Sequence, residues 1–296
     1  MKLALFLAVS VSALLIACSG SPFGKDNDTH SRGYKTMIAD EAYLPLLRTT
    51  SMTFSGLYPK ATIQFSYRSE TEALNALIAD ETKTIFVSRD FTEKEKAKLL
   101  KSNIQAKAII FAYDAVTFIL HPSVMDTIYS EEQIKQLLTA NSGKTTMVFD
   151  QVQSSNFNYL QRHFKIGKYG KNVKALSSTP DVIKYVSEHP DAIGIVGFAW
   201  FSDMEDPVVQ ARLKQVRVAY VSNPKDGKAY QPHSYNLRES LYPFRKEIYC
   251  LNKGAADGLN SGFTVFLEDE KGQLLIHKTG LLPYRKTPRM FNFEFE

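Results

Sequence analysis

The chain has 296 residues, 44% of them apolar and 23% charged, with a formal charge of +5 at neutral pH. That balance supports a packed core of one large or two medium domains and excludes a disordered chain. The basic excess is modest, and Lys and Arg are interspersed with Asp and Glu, which argues against a nucleic-acid-binding face.

The N-terminus reads as an export signal. Lys2 supplies a positive start, and Leu3 to Ala17 is apolar or small, interrupted only by Ser10 and Ser12. The run is shorter than the roughly 20 residues a bilayer-spanning helix needs. It ends in Leu15-Ile16-Ala17-Cys18, the pattern of a bacterial lipobox, in which the Cys18 thiol receives a diacylglycerol. Lipidation with N-acylation supplies several acyl chains, enough for stable anchoring. Residues 1–18 are therefore expected to be a lipoprotein signal peptide. Residues 19–33, rich in Ser, Gly, Asp and Asn, are expected to be a flexible tether. The expected location is the cell envelope, in the periplasm or on the outer face of a membrane. With Cys18 lipidated, Cys250 is left alone in an apolar stretch, so a disulfide framework is excluded.

Beyond the tether, strand and helix signals alternate. Asp40 and Glu41 precede a helix expected from Tyr43 to Ser55, where acids suit the helix dipole. Ala61 to Tyr67 alternates as a strand, and Ser69 with Glu72 has capping-box spacing for a helix through Ala79. Thr84 to Val87 is a short buried strand, and Thr92 with Glu95 caps a helix through Lys101. Residues 106–120 form a long apolar run broken by Asp114. Ser130 and Gln133 cap a third helix, Thr145 to Phe149 is a strand, and Ser154 to Phe164 reads as a helix. Thr179-Pro180-Asp181 starts another, with Pro at the first helical position. Ala192 to Phe201 is strand-like and carries glycines; Val216 to Val221 and Glu247 to Leu251 are strands; Leu259 to Leu267 and Glu270 to Lys278 are helices. Alternation of this kind predicts an α/β fold with a mostly parallel sheet covered on both faces. Ligands of such sheets bind where strands run into helices, and a helix N-terminus favours anions.

Motifs of other functions are absent or incomplete. Gly143-Lys144-Thr145 lacks the first glycine of a phosphate-binding loop, since Leu138 stands there, and the strand follows it instead of preceding it. No zinc-protease, serine-hydrolase or Cys-x-x-Cys motif occurs, and the six histidines have no metal-ligand spacing. No enzyme activity, metal or cofactor is expected.

In order along the chain, several segments resemble the substrate-binding proteins of bacterial phosphate transporters. These are residues 57–79, Ser88-Arg89 with Phe91-Thr92-Glu93 and Glu95, Ala112-Tyr113-Asp114, the helix from Ser130, Ile193-Gly194-Ile195-Val196-Gly197, and Tyr242-Pro243-Phe244-Arg245. The resemblance implies a two-lobe type II periplasmic-binding-protein fold, each lobe a mostly parallel sheet flanked by helices, joined by two crossings. Lobe 1 would comprise residues 34–120 and 236–296, and lobe 2 residues 121–235. It implies a monomer that captures a phosphate-like anion for the permease of an ABC-type transporter. Carried over loop by loop, the ligand residues fall at Asp40 and Glu41, at Arg68 and Ser69 with Glu70 beside them, at Ser88 and Arg89, and at Ser154 and Ser155.

Two loops depart from that family. Ala39-Asp40-Glu41 stands where it has Gly-Ser-Ser or Gly-Ser-Thr, and Asp150 to Asn156 contains none of its glycines. Two carboxylates beside a dianion repel it unless they are paired, and Arg68 and Arg89 are the expected partners. The departures keep a second reading open: an anchored sensor or interaction protein with the same fold and a changed or lost ligand site.

Overall fold

The structure, a computed structural model, describes residues 28–102, 104–253 and 257–285. The expected signal peptide and lipidated Cys18 lie outside the described residues. Of the expected tether, residues 28–33 are described and belong to the fold. The Asp28 carboxylate accepts the Leu259 N–H, and Thr29 bridges to Arg32.

The strands are β1 (Gly33–Asp40), β2 (Ala61–Arg68), β3 (Thr84–Val87), β4 (Ala106–Leu120), β5 (Ile128–Tyr129), β6 (Thr146–Phe149), β7 (Val173–Ala175), β8 (Ala192–Gly197), β9 (Arg217–Val218), β10 (Tyr220–Ser222), β11 (Ala229–Tyr230), β12 (Arg245–Lys253) and β13 (Leu282–Pro283). The helices are α1 (Leu44–Leu57), α2 (Glu70–Ile78), α3 (Glu93–Lys101), α4 (Glu131–Thr139), α5 (Ser155–Phe164), α6 (Thr179–Glu188), α7 (Pro207–Gln215), α8 (Ser234–Arg238), α9 (Gly258–Glu268) and α10 (Glu270–Lys278). The capping boxes read from Ser69, Thr92 and Ser130 are all formed, each side chain satisfying a helix-end N–H that has no partner inside the helix.

One continuous sheet runs in the order β2-β1-β3-β12-β4-β8-β6-β7. Its two ends are parallel (β2-β1-β3 and β8-β6-β7), and the strands between them are antiparallel. β4 belongs to both ends. Ala106 to Ala115 pairs with β12, and Val116 to Leu120 pairs with β8. Asp114 does not interrupt the run, because its buried carboxylate accepts the Ala199 N–H and lies beside Lys246. At the same level the chain returns: Val116 N–H donates to the Phe244 carbonyl, and the Tyr242 hydroxyl to the Val116 carbonyl. The two crossings read from 112–114 and 242–245 thus lie side by side.

The remaining differences from the sequence are local. The strand expected to reach Phe201 stops at Gly197 and turns into a short 3-10 segment, Phe198–Trp200. The strand expected from Val216 to Val221 divides into β9, on β4, and β10, which joins a small sheet with β5 and β11. Helix α1 starts one residue late because Glu41–Tyr43 forms a 3-10 turn. Ser178, not Thr179, caps α6, which places Pro180 second in the helix. Short β7 and α8 carry patterns too brief to register. Cys250 is buried against Thr264, and burial pushes its thiol up to about 12, so it is inert packing.

Gly194 in β8 lets α6 close onto the sheet. A Cβ there would meet Ile119 at 2.6 Å, Val182 at 2.7 Å and Val186 at 2.9 Å. Gly194→Ala is expected to cost about 1–3 kcal/mol by overpacking, measured as a lowered urea midpoint with an unchanged slope.

Candidate functional site

Where the two ends of the sheet meet, three buried backbone donor groups each hold a carboxylate of the chain itself. The first is the N-terminus of α5. Its free Ser155 N–H donates to Asp40 Oδ2 at 2.8 Å, and the Ser155 hydroxyl donates to Asp40 Oδ1 at 2.9 Å. Asp40 closes β1 and also accepts the Ala42 N–H at 3.0 Å, so one side chain caps two elements. The second donor is the N-terminus of α6, whose Thr179 N–H donates to both oxygens of Glu41 at 3.2 and 3.0 Å. The third is the turn after β3. Ser88 N–H donates to Glu70 at 2.8 Å, and its hydroxyl makes a second, short bond to the same oxygen. Glu70 also receives Asn158 Nδ2 and Arg162 Nη1, each at 3.2 Å, while Arg162 Nη2 reaches Ser88 Oγ at 3.1 Å. A helix N-terminus carries a partial positive charge, so a carboxylate there is held by charge as well as by hydrogen bonds.

Behind this layer lies a fully buried charge cluster. Lys246, in β12, donates to Asn156 Oδ1 at 2.5 Å and to Ser155 Oγ at 3.1 Å. Its ammonium stands 3.5 Å from Asp114 and 5.0 Å from the centre of the Tyr43 ring. Asn156 Nδ2 passes the chain on to Asp150 at 2.9 Å, and Asp150 also accepts the Ser154 hydroxyl at 2.6 Å. Asp40, Asp114, Asp150 and Lys246 are all at most 1% exposed. Three carboxylates therefore share one lysine. Burial, then the charges of Asp150 and Glu70, raise Asp40 to about 7 against the pull of Lys246. Burial likewise raises Asp114 and Asp150, and it takes Glu41 to about 8 despite the Thr179 N–H.

The residues read from the sequence divide into two groups. Asp40, Glu41, Ser69, Ser88, Ser154 and Ser155 are buried. Asp40, Glu41, Ser88, Ser154 and Ser155 take part in the network above, whereas Ser69 serves as the α2 cap, its hydroxyl and N–H both given to Glu72. The two arginines do not pair with the first-loop acids. Arg68 bonds Glu81 at the surface at 3.0 Å, and Arg89 makes a two-pronged pair with Glu95 at 2.8 and 2.9 Å. The cations that face the acids are Lys246 and Arg162. Both were legible in principle. Lys246 shares the inward period-2 face of β12 with Ile248 and Cys250. Ser155, Asn158 and Arg162 fall on one side of α5 at i, i+3 and i+7.

Residues 25–268 match the model of a PBP superfamily domain. The chain belongs to the PBP superfamily. A curated relative is the phosphate-binding protein PstS of Borreliella burgdorferi, 19% identical over 256 residues, which span 80% of this chain and 85% of that one. Among solved structures, a putative phosphate ABC transporter substrate-binding protein with bound phosphate from Clostridium perfringens aligns with a TM-score of 0.70 at 16% identity, covering 86% of this chain and all of that one. An ABC-type phosphate transport receptor from Vibrio cholerae aligns at 0.61 and 15% identity over 85% of this chain and all of that one. The regulatory domain of a LysR-family regulator from N. meningitidis shares the architecture at 0.54 and 10% identity, over 85% of this chain and 98% of that one. These likenesses establish the two-lobe α/β PBP fold.

The cluster predicts a pH dependence with a definite sign. Asp40 and Glu41 have folded-state pKa values above their ordinary ones. The folded chain therefore keeps protons that the unfolded chain has released. The stability they confer is complete below the ordinary carboxyl range and is lost as pH rises through about 7 for Asp40 and about 8 for Glu41. Tm is expected to fall between about pH 5 and pH 8.5, and Asp40→Asn and Glu41→Gln to flatten that profile. Lys246→Met removes the shared cation and is expected to cost about 3–5 kcal/mol at neutral pH, read from chemical denaturation.

Proposed function

We propose that this is an exported, lipid-anchored binding protein of the bacterial envelope that captures a small oxyanion, phosphate foremost, for an ABC-type transporter. Its own carboxylates occupy the anion donors until the ligand displaces them. In this reading residues 34–120 with 236–296 form one lobe and residues 121–235 the other, and closure over the ligand is what a permease recognises. The observation that carries it is the donor set itself. Ser155 N–H and hydroxyl, Ser88 N–H and hydroxyl, Thr179 N–H and the Arg162 guanidinium are all engaged by carboxylate oxygens. A tetrahedral oxyanion presents the same kind of acceptor. The relative that binds phosphate supports the ligand class, and the apolar run ending at Cys18 supports the anchor.

Displacing Asp40 and Glu70 costs free energy that a family member with neutral loops does not spend, so binding is expected to be weak in the native chain. Calorimetry with phosphate at neutral pH, beside sulfate, molybdate and small carboxylates, tests this. The Asp40→Asn/Glu70→Gln double variant, which frees Ser155, Ser88 and Arg162, is expected to bind phosphate at least about tenfold more tightly than the native chain. If the double variant takes up none of these anions, the second reading holds: a sensor or interaction protein whose crevice is permanently filled by its own side chains. The full occupation of the donors favours that alternative. Cys18→Ala is expected to move the protein from the membrane fraction to the soluble fraction of the envelope.

A further inference from the structure

A crevice opens between α1 and α7, away from the Asp40–Ser155 network. Its volume is about 280 Å³, at the lower end of small-molecule sites. Two helical stripes face it. On α1, Leu44, Arg48 and Met52 follow one another at four-residue steps; on α7, Val208 and Arg212 do the same. Leu281 adds to the apolar lining. Each stripe thus joins apolar surface to one guanidinium.

Neither guanidinium is in direct contact with an acid among the described residues, although the charge of Asp206 reaches Arg212. Among the described residues, Arg48 and Arg212 form no ion pair. Arg212 is half-buried, stands over the Trp200 ring at 4.8 Å from its centre and gives one N–H to the Trp200 carbonyl at 3.0 Å. Burial holds its guanidinium below the usual range, with Asp206 pulling the other way. Asp203 and Asp206 also border the crevice, but each already accepts a backbone N–H, from Glu205 at 3.2 Å and from Val208 at 2.8 Å. The apolar part is left open: Met52 is 64% exposed and Val208 54%. Two cations with unused donors, beside uncovered Met and Val, make a site with a charged end and a greasy end.

We propose that this crevice binds a small amphiphilic monoanion, a carboxylate head on a short apolar body. The planar fork of an arginine matches a carboxylate. Asp203 and Asp206 at the rim disfavour a dianion, and the body covers Met52, Val208 and Leu281. The site is separate from the Asp40–Ser155 network, since neither residue lines it. Its walls come from helices attached to opposite ends of the sheet, so occupancy ties the two ends together.

Calorimetry and thermal shift on the full chain, with octanoate as the probe, test this. Octanoate is expected to bind at one equivalent and raise Tm, whereas octanol, without the charge, and acetate, without the body, give neither signal at the same concentration. Arg48 and Met52 are exposed and bear no structural bond, so Arg48→Ala and Met52→Glu are expected to fold normally. The first should weaken octanoate at least about tenfold and the second abolish it. Asp40→Asn should leave octanoate binding unchanged. The proposal is overturned if octanoate gives no heat and no shift, if either flank variant binds it like the native chain, or if Asp40→Asn tightens it, which would place the ligand at the Ser155 donors.

Discussion

The buried central network depends on a carboxylate meeting the open end of a helix that belongs to the other end of the sheet. Asp40 and Glu41 sit on consecutive positions after β1, and each finds a different helix, α5 for Asp40 and α6 for Glu41. The unpaired N–H groups at those helix ends have to be satisfied by something, because leaving a buried donor unmatched costs about 1–3 kcal/mol. In a binding protein that something is a ligand. Here the chain supplies it from within, and Glu70 does the same for the Ser88 turn.

This self-capping explains why so much charge is tolerated in the interior. Three carboxylates around Lys246 cannot all be ionised cheaply, so the cluster retains protons that exposed acids would lose near neutral pH. The network also joins every part of the crossing. Asp114 comes from β4, Lys246 from β12, Asp40 from the end of β1, and Asp150 with Ser155 from the other end of the sheet. Separating the two ends would strand these groups together, so capping and charge burial act as one cooperative element.

The order of elements was legible because local chemistry repeats there. Ser69, Thr92 and Ser130 each stand three residues before a Glu or Gln, and each forms the box that spacing predicts. The strand at 192–201 was overextended because Phe198, Ala199 and Trp200 are as apolar as a strand, yet they bury their side chains in a 3-10 turn. Asp114 reads as a break because a charge inside an apolar run normally faces water. Its partner, Lys246, lies 132 positions away and cannot be seen from the run itself.

From its sequence alone the chain determined its class: alternating strands and capped helices, and serine-bearing turns where strands run into helices. Local spacing carries that information, since caps and periodicity act over a few residues. Only the tertiary structure decided which acid meets which donor. Arg68 and Arg89 were the natural partners for Asp40 and Glu41 by type, but they are held at 3.0 and 2.8 Å by Glu81 and Glu95 close to them in the chain. Lys246 and the helix ends reach the acids instead, because the two crossings bring residues from opposite ends of the sheet into one buried space.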